Sequence, residues 1–511
     1  MYLVTSAQMR SIEERAMSDL QIPSLLLMEN AALQTVKHVL EILGDFSKSA
    51  KIVVVCGPGN NGGDGFAIAR LLHVKGIKVH VAFIGDMSQV KGDALINLQI
   101  VEKMGILMHA PLQSLLHSAD LIVDALFGTG LRGAVSGKKA VEAIELMNAS
   151  PAKLVSVDIA SGVEADSGRV GSVAVRAHTT VTFGLAKVGH MMYPGTEYAG
   201  RVIVEDISIP QDLLVPEGPC LEMLDEVILP PRPARSNKGT FGRVCVLAGC
   251  SDMPGAAVLC SKAAYRAGAG LVHACVVPEV ARVIRSNVHE VITTTVPEKN
   301  GAYFDFMSAK EAIALANVVA LGPGIGRGKE TQKFVREVIE FCGKENKPIV
   351  IDADAIMAIA VDRSMLRNVL VPCVITPHPG EMAALCGLSI QEVLNDLAGC
   401  AKSFSQEYGV VTLLKDARTI IAEPAGRKEA RTFLNPSGTA ALAKAGSGDV
   451  LTGLIASFIA QGFDSLLMSA VLGAYIHGKA GQLAAENLSL HGVTAGDVAD
   501  CIAKALAHTQ C

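Results

Sequence analysis

Gly446-Ser447-Gly448-Asp449 runs straight into an apolar-periodic stretch, Val450 to Phe458, and so sets a carboxylate at the expected N-terminus of a helix. Leu451, Leu454, Ile455 and Phe458 recur at the i, i+3, i+4, i+7 spacing of one buried helical face. The glycines then fall where free backbone N–H groups and the helix dipole favour an anion, with Asp449 beside that anion as a base. The chemistry this predicts is phosphoryl transfer. An Asp capping an ordinary turn looks the same over four residues, so the surrounding motifs must choose between the two readings.

The first half of the chain offers a second group of oxygen-bearing residues. Lys51 to Cys56 reads as a strand that feeds the glycine loop Gly57-Pro58-Gly59-Asn60-Asn61-Gly62-Gly63-Asp64-Gly65 and then a helix over Phe66 to His73. Gly57, Gly59 and Gly62 satisfy G-x-G-x-x-G, and Asp86 follows at about the distance of a ribose-binding acid, which suggests a dehydrogenase. Against that reading, the Pro, the paired Asn and the Asp make the loop too bulky and polar for bare backbone to approach a pyrophosphate. Asp124 ends a strand Leu121 to Ala125, and Asp158 with Ser161 follows Leu154 to Val157. One carboxylate with an amide, a hydroxyl and carbonyls makes a weakly charged oxygen cage, suited to potassium or sodium rather than a divalent ion. Asp158 is then left free for proton transfer, and Gly128-Thr129-Gly130-Leu131-Arg132-Gly133 supplies a second glycine-rich loop for phosphate.

Elements must hold these groups, and the pattern predicts α/β architecture twice over. Short β-branched runs alternate with helical stretches at Lys51 to Cys56, Val79 to Ile84, Leu121 to Ala125, Leu154 to Asp158 and Thr179 to Phe183, the mark of a mainly parallel, doubly wound sheet. The second half repeats the style at Arg243 to Ala248, Leu271 to Val277, Val318 to Leu321, Pro348 to Ile351, Val371 to Thr376 and Val410 to Lys415. A proline-rich stretch from Pro210 to Pro233, including Pro230 and Pro231, separates the halves and sets the expected boundary near residue 218. The 511 residues are 50% apolar, enough for sizeable cores, and a net charge of -5 without a basic block argues against nucleic acid and anionic membranes. No signal-peptide pattern and no uncharged apolar run of membrane-spanning length occurs, and the twelve cysteines, scattered from Cys56 to Cys511 without metal spacing, read as reduced thiols of the cytoplasm. Small molecules are the expected partners.

The Gly57 to Gly65 loop, Leu126-Phe127-Gly128-Thr129-Gly130, Asp158-Ile159-Ala160-Ser161-Gly162 and the upstream Leu27-Met28-Glu29-Asn30-Ala31 resemble the NAD(P)H-hydrate epimerase domain. The resemblance implies a Rossmann-like three-layer α/β/α domain over residues 1–217. It further implies that Asn60-Asn61-Gly62-Gly63-Asp64, Gly128-Thr129-Gly130-Leu131-Arg132-Gly133-Ala134 and Asp158 contact the hydrated nicotinamide nucleotide. Asn61, Asp124 and Ser161 would hold K+.

Five motifs of the second half resemble, in this order, the ADP/ATP-dependent NAD(P)H-hydrate dehydratase, a branch of the ribokinase-like α/β fold, over residues 221–511. They are Asn237-Lys238-Gly239-Thr240-Phe241-Gly242, Gly322-Pro323-Gly324-Ile325-Gly326, Thr376-Pro377-His378-Pro379-Gly380-Glu381, Lys415-Asp416-Ala417-Arg418-Thr419 and Gly446 to Asp449. The resemblance implies that Ala256, Gly324, His378 and Asp449 face the hydrate and that Lys415, Asp416, Ala417, Arg418, Thr419 and Gly448 hold ADP or ATP, with Mg2+ expected and a homo-oligomer implied. Asp416 stands where the family usually has Gly, and Asn237 where His is common.

The expected activity is bifunctional repair: epimerisation of the R and S hydrates of NADH or NADPH, and dehydration of the S form at the expense of ADP or ATP, with Asp158 and Asp449 as catalytic carboxylates. Expelling hydroxide, the conjugate base of an acid with pKa about 15.7, is slow, and phosphorylating the ring hydroxyl makes phosphate the leaving group. Spontaneous hydration gives both epimers, so a stereospecific dehydratase needs an epimerase. The alternative is a ribokinase-like sugar or vitamin kinase with a non-catalytic nucleotide-binding N-terminal module.

Overall fold

The computed structural model describes residues 1–46, 49–106, 111–224, 227, 229, 232–299, 302–303, 305–367, 372–426 and 430–509. The prolines Pro230 and Pro231, the expected strand start Val371, and Cys511 lie outside them. The chain divides into two units, Met1–Leu221 and Glu222–Cys511.

In the first unit six parallel strands lie in the order Lys78–Phe83, Lys51–Cys56, Leu121–Ala125, Lys153–Val157, Thr179–Phe183, Arg201–Glu205. Ile52, Val53, Val54 and Val55 are all fully buried, as a strand covered on both faces requires. Alternation then splits them between two cores. Ile52, Val54 and Cys56 pack with Ile12, Val36, Phe66 and Leu72 of the helices Ser6–Asp19, Ser24–Leu43 and Asn60–Val74. Val53 and Val55 face the opposite way, toward Leu116, Ala143 and Ile144. The result is a three-layer α/β/α sandwich. The chain leaves Lys51–Cys56 in one direction and returns across it to Leu121–Ala125, so a topological switch point opens between the carboxyl ends of these two strands.

In the second unit seven parallel strands follow the order Ile292–Thr295, Leu271–Val276, Arg243–Leu247, Val318–Leu321, Ile349–Ile351, Cys373–Ile375, Val411–Leu414, and Ile420–Ala422 and Thr432–Leu434 continue it antiparallel. The switch point here lies between Arg243–Leu247 and Val318–Leu321. Two helices are central. Ser447–Ala460 is buried all round from Val450 to Phe458 rather than along one face, because small residues line its other side. Gly453 lets the helix Pro254–Arg266 cross it: a Cβ there would lie 2.1 Å from the carbonyl oxygen of Cys260.

The sequence pattern finds the central strands to within a residue or two at each end. It overlooks Arg201–Glu205, Ile292–Thr295, Ile420–Ala422 and Thr432–Leu434. Thr293-Thr294-Thr295 and the charged ends of Arg201–Glu205 carry too little apolar alternation to register, and Ile420–Ala422 and Thr432–Leu434 are only three residues long.

Candidate active site

In the first unit, the expected glycine loop is shorter than the sequence suggests. The helix begins at Asn60, so Asn60, Asn61, Gly62, Gly63 and Asp64 occupy its first turns rather than a loop. The glycines serve close packing. A Cβ on Gly57 would lie 2.1 Å from the Leu126 carbonyl oxygen across the switch point, and one on Gly62 would lie 1.8 Å from the Gly57 oxygen. Asp86 caps the one-turn helix Met87–Gln89, accepting from the Ser88 N–H at 2.9 Å, so it has an ordinary capping role.

A cavity of about 800 Å³ opens above these strand ends, within the range of cofactor sites. Asn60, Asn61 and Asp64 line it, as do Gly128, Thr129, Gly130, Leu131 and Arg132, together with Asp158. Gly62 and Gly63 are buried in the same helix turn, and Gly133 and Ala134 continue the second loop at the surface; none of the four lines the cavity. The N-terminal helix Ser6–Asp19 forms one wall with Ser6, Met9, Arg10, Glu13 and Met17. It is tied to the loop after Gly128 through Asp166, which accepts from the Ser6 N–H at 2.6 Å and pairs with Arg132 at 3.0 Å.

Asp124 is fully buried. Its Oδ1 accepts from Ser161 Oγ at 2.6 Å and the Leu126 N–H at 3.3 Å, its Oδ2 from Ser156 Oγ at 2.8 Å and the Ser161 N–H at 2.9 Å. Burial still holds its carboxyl above the usual range against those bonds, and among the described residues no ammonium or guanidinium pairs with it. Asn61 is buried nearby against Gly128, and neither its Oδ1 nor its Nδ2 has a hydrogen-bond partner among the described residues. A buried carboxylate without a cation, next to an orphaned amide oxygen and a hydroxyl, is a donor set that fits a monovalent ion.

Asp158 is not free, contrary to the sequence expectation. Lys187 Nζ donates to its Oδ1 at 2.6 Å and Thr182 Oγ1 at 2.9 Å. Burial alone would raise this carboxyl; the Lys187 ammonium and the hydrogen bonds hold it below the usual carboxylate range. Its neighbours go the other way. Burial lifts Asp64 well above that range, with the charges of Asp158 and Glu13 adding and Lys187 opposing, and burial lifts Glu13 too. The cavity thus sets one carboxyl held low, Asp158, beside two that burial raises, Asp64 and Glu13. Glu13 and Lys187 were missed from the sequence: Lys187 sits on a two-residue strand, Ala186–Lys187, too short to leave a pattern.

In the second unit, four consecutive strand ends converge. Gly322 to Gly326 follows Val318–Leu321; Gly322, Gly324 and Gly326 all have positive φ, and a Cβ on Gly324 would lie 2.9 Å from the Cβ of Ala256. Asp352 and Asp354 follow Ile349–Ile351, Thr376 to Glu381 follows Cys373–Ile375, and Lys415 follows Val411–Leu414. Asp352, 1% exposed, accepts from Lys415 Nζ, Thr376 Oγ1 and Thr452 Oγ1, each at 2.8 Å. Burial raises Asp352, and Lys415 with the two hydroxyls outweighs it, so its carboxyl stays low; desolvation would lower the half-buried Lys415, and Asp352 in turn holds it up. Asp354 accepts from the Gly326 N–H at 3.0 Å and Arg327 Nε at 2.7 Å, fixing the glycine loop.

Gly446 has φ 89° and no side chain caps the helix that follows, so first-turn N–H groups remain for a ligand. Gly448 lies over the Lys415–Asp352 pair: a Cβ on it would meet Lys415 Nζ at 3.3 Å. Burial, then the charges of Asp352 and Asp354, push Asp449 up to about 7 against the opposing Lys415. Ser447 Oγ lies 3.2 Å from Nε2 of His477, which burial and Lys415 bring down to about 4 and so keep neutral.

His378 has a structural part beside the one expected of it. Its Nδ1 accepts from the N–H groups of Gly380 and Glu381 at 3.0 and 3.2 Å, capping the helix Pro379–Cys386, while its half-exposed ring keeps Nε2 3.3 Å from Glu381 Oε1. Asp416, Ala417, Arg418 and Thr419 form the turn from Val411–Leu414 into Ile420–Ala422, with Arg418 anchored to the Pro436 carbonyl at 2.9 Å. Asp352 and Asp354 escaped the sequence reading although Ile351-Asp352-Ala353-Asp354 is the strand-end acid signal that marked Asp124 and Asp158.

Two α/β units, each with a buried carboxylate cluster at its strand ends, define a bifunctional enzyme. Residues 24–189 match the family described as YjeF-related protein N-terminus, and residues 244–504 match NAD(P)H-hydrate dehydratase. The chain is 39% identical to the bifunctional NAD(P)H-hydrate repair enzyme of Moorella thermoacetica over 98% of this chain and 96% of that one. Its counterpart from Escherichia coli K12 is 33% identical, over 87% and 83%. Among solved structures, the ADP/ATP-dependent NAD(P)H-hydrate dehydratase from Bacillus subtilis, co-crystallized with ATP/Mg2+, is 29% identical with a TM-score of 0.45, covering 55% of this chain and 95% of that one. The chain belongs to the bifunctional NAD(P)H-hydrate repair enzymes. The helix Ser6–Asp19, with Glu13, lies before the matched N-terminal segment. Among the described residues no helix is long and apolar enough to cross a membrane.

Proposed function

We propose that residues 1–217 interconvert the R and S hydrates of NADH or NADPH and that residues 221–511 dehydrate the S form with ADP or ATP, releasing AMP or ADP and phosphate. The observation that carries the second activity is Asp449: a base raised to about 7 at an uncapped helix N-terminus beside Lys415. Asp449 takes the proton of the C6 hydroxyl as its oxygen attacks the terminal phosphorus, and the bond to the remaining nucleotide breaks. The first-turn N–H groups at Gly448 and the Lys415 ammonium offset the charge on the transferring phosphoryl group. The C6 phosphate then leaves with its electron pair, a C5 proton is lost, and the 5,6 double bond of the dihydronicotinamide returns. The oxygen of the added water ends in inorganic phosphate. Gly324 and Ala256 form the wall against which the ring lies, and the Lys415 to Thr419 turn holds the nucleotide.

In the first unit the hydroxyl-bearing C6 is bonded to N1, so its C–O bond breaks with acid assistance to leave a cation that N1 stabilises. Asp64, which favours its proton, donates to the departing oxygen, and Asp158 accepts a proton from the water that returns on the other face. Asn61, Asp124 and Ser161 would hold K+, which neutralises buried negative charge beside the Gly128 loop. Mg2+ would arrive on the nucleotide phosphates, as this ion does when it keeps most of its waters; among the described residues no cluster of three His, Cys, Asp or Glu forms a cage for it. We place the protein in the cytoplasm as a homo-oligomer. Incubating purified epimers with each nucleotide, with and without K+, tests the reading: a stable phosphorylated product without free phosphate would replace it with a kinase.

A further inference from the structure

Lys187 is 1% exposed, and a buried lysine costs free energy unless its donors are used. All three are used. Nζ donates to Asp158 Oδ1 at 2.6 Å, Thr182 Oγ1 at 2.9 Å and the Phe183 carbonyl at 3.1 Å. The residues around it immobilise the same carboxylate from other directions. Asp158 has φ 63°, the left-handed region, and is kept there by its N–H to Val181 O at 2.7 Å and by His190, whose Nε2 lies 2.9 Å from the Asp158 carbonyl oxygen. Burial and Lys187 bring His190 down to about 4, so its ring is neutral; Nδ1 accepts from the Lys187 N–H at 3.0 Å and Nε2 donates to Asp158. Every side-chain hydrogen bond to the Asp158 carboxylate among the described residues falls on Oδ1, and Asp158 lines the cavity.

We propose that Lys187 is a positioning residue for epimerisation: it clamps Oδ1 of Asp158 and turns Oδ2 toward the substrate as the basic atom. The inference rests on the assignment of this cavity as the epimerase site. The charged and titratable groups around Asp158 are Glu13 and Arg10 from the helix Ser6–Asp19, Asp64 from the helix Asn60–Val74, and Lys187 and the neutral His190 from the segment after Phe183. Lys187 is the cation closest to the carboxylate, so removing it raises the pH at which Asp158 loses its proton, and the acid limb of the rate profile moves up.

The experiment is the pH dependence of kcat and kcat/KM for interconversion of the purified hydrate epimers, with thermal unfolding followed in parallel, for the full chain and for Lys187→Met, Lys187→Arg, Thr182→Val and Asp158→Asn. Lys187→Met is expected to shift the acid limb upward by about 1–3 pH units, the range a neighbouring cation imposes on a carboxylate, and to lower kcat more than it changes KM. Lys187→Arg is expected to return the limb toward its wild-type position. If Lys187→Met does not fold, Thr182→Val, which removes one neutral partner, is expected to shift the limb in the same direction by less. An unmoved limb in Lys187→Met, or in Thr182→Val where Lys187→Met is unfolded, overturns the proposal. Wild-type epimerisation by Asp158→Asn overturns the site assignment instead, so the two failures are distinct.

Discussion

Lys415 Nζ lies 2.8 Å from Asp352 Oδ1, and this pair sits beneath Gly448 at the start of the Ser447–Ala460 helix. A cation at the mouth of a glycine turn is held there by a carboxylate that two hydroxyls, of Thr376 and Thr452, also anchor. Phosphate approaching the turn therefore meets a charge already fixed in place, with little reorganisation left to complete.

Removing Asp352 exposes what that pairing costs to break. Asp352→Ala leaves Lys415 without its partner in a mostly buried position and is expected to destabilise the second unit by about 3–5 kcal/mol, read from urea unfolding. Lys415→Met strands the more deeply buried Asp352 and is expected to cost stability as well, and in addition to raise the KM for ADP or ATP. Equal nucleotide KM in Lys415→Met and wild type would contradict its place in the phosphate site.

Asp449 must be ionised to act as a base, and its pKa of about 7 sets the pH window. Dehydration is expected to rise through pH 7 and to stand at roughly a tenth of its plateau at pH 6, one unit below that pKa. Asp158 is held below the usual carboxylate range, so epimerisation keeps its rate there. Asp449→Ala is expected to cut dehydration by about 10²–10⁴-fold, the usual contribution of a positioned base, with epimer exchange retained. Loss of both activities in a folded variant would count against separate sites.

Potassium should act on the first unit alone. Replacing K+ by a bulky organic cation is expected to lower the epimerisation rate, and Asn61→Ala, which deletes the orphaned amide, to abolish the response to added K+. A K+ response in Asn61→Ala equal to wild type would remove Asn61 from the ion site.

Gly453→Ala tests the packing that sets the Asp449 helix. Its Cβ would lie 2.1 Å from a backbone oxygen that no rotamer change can move, so destabilisation of about 1–3 kcal/mol is expected. Unchanged unfolding in urea would mean that the two helices part without cost.

The sequence made the central strands legible because β-branched runs buried on both faces leave continuous signals, as at Ile52 to Val55. Of the groups it singled out, Ser161 bonds Asp124, Asn61 packs on Gly128, Gly324 meets Ala256 and Gly448 meets Lys415. What stayed hidden depends on tertiary proximity. Lys187 reaches Asp158 across 29 positions and Lys415 reaches Asp352 across 63, and neither separation has a local pattern. His378 carries a second role that the sequence does not show: its Nδ1 caps the helix Pro379–Cys386, a bond that depends on the local turn rather than on residue spacing.

The most direct measurement follows a mixture of R and S hydrates with saturating ADP or ATP to completion, recording dihydronicotinamide absorbance for wild type and for Asp158→Asn. The account predicts full conversion by wild type, and in Asp158→Asn a fast phase that consumes the S share, followed by a slow phase at the spontaneous epimerisation rate. Full conversion by Asp158→Asn in a single phase at the wild-type rate would contradict it.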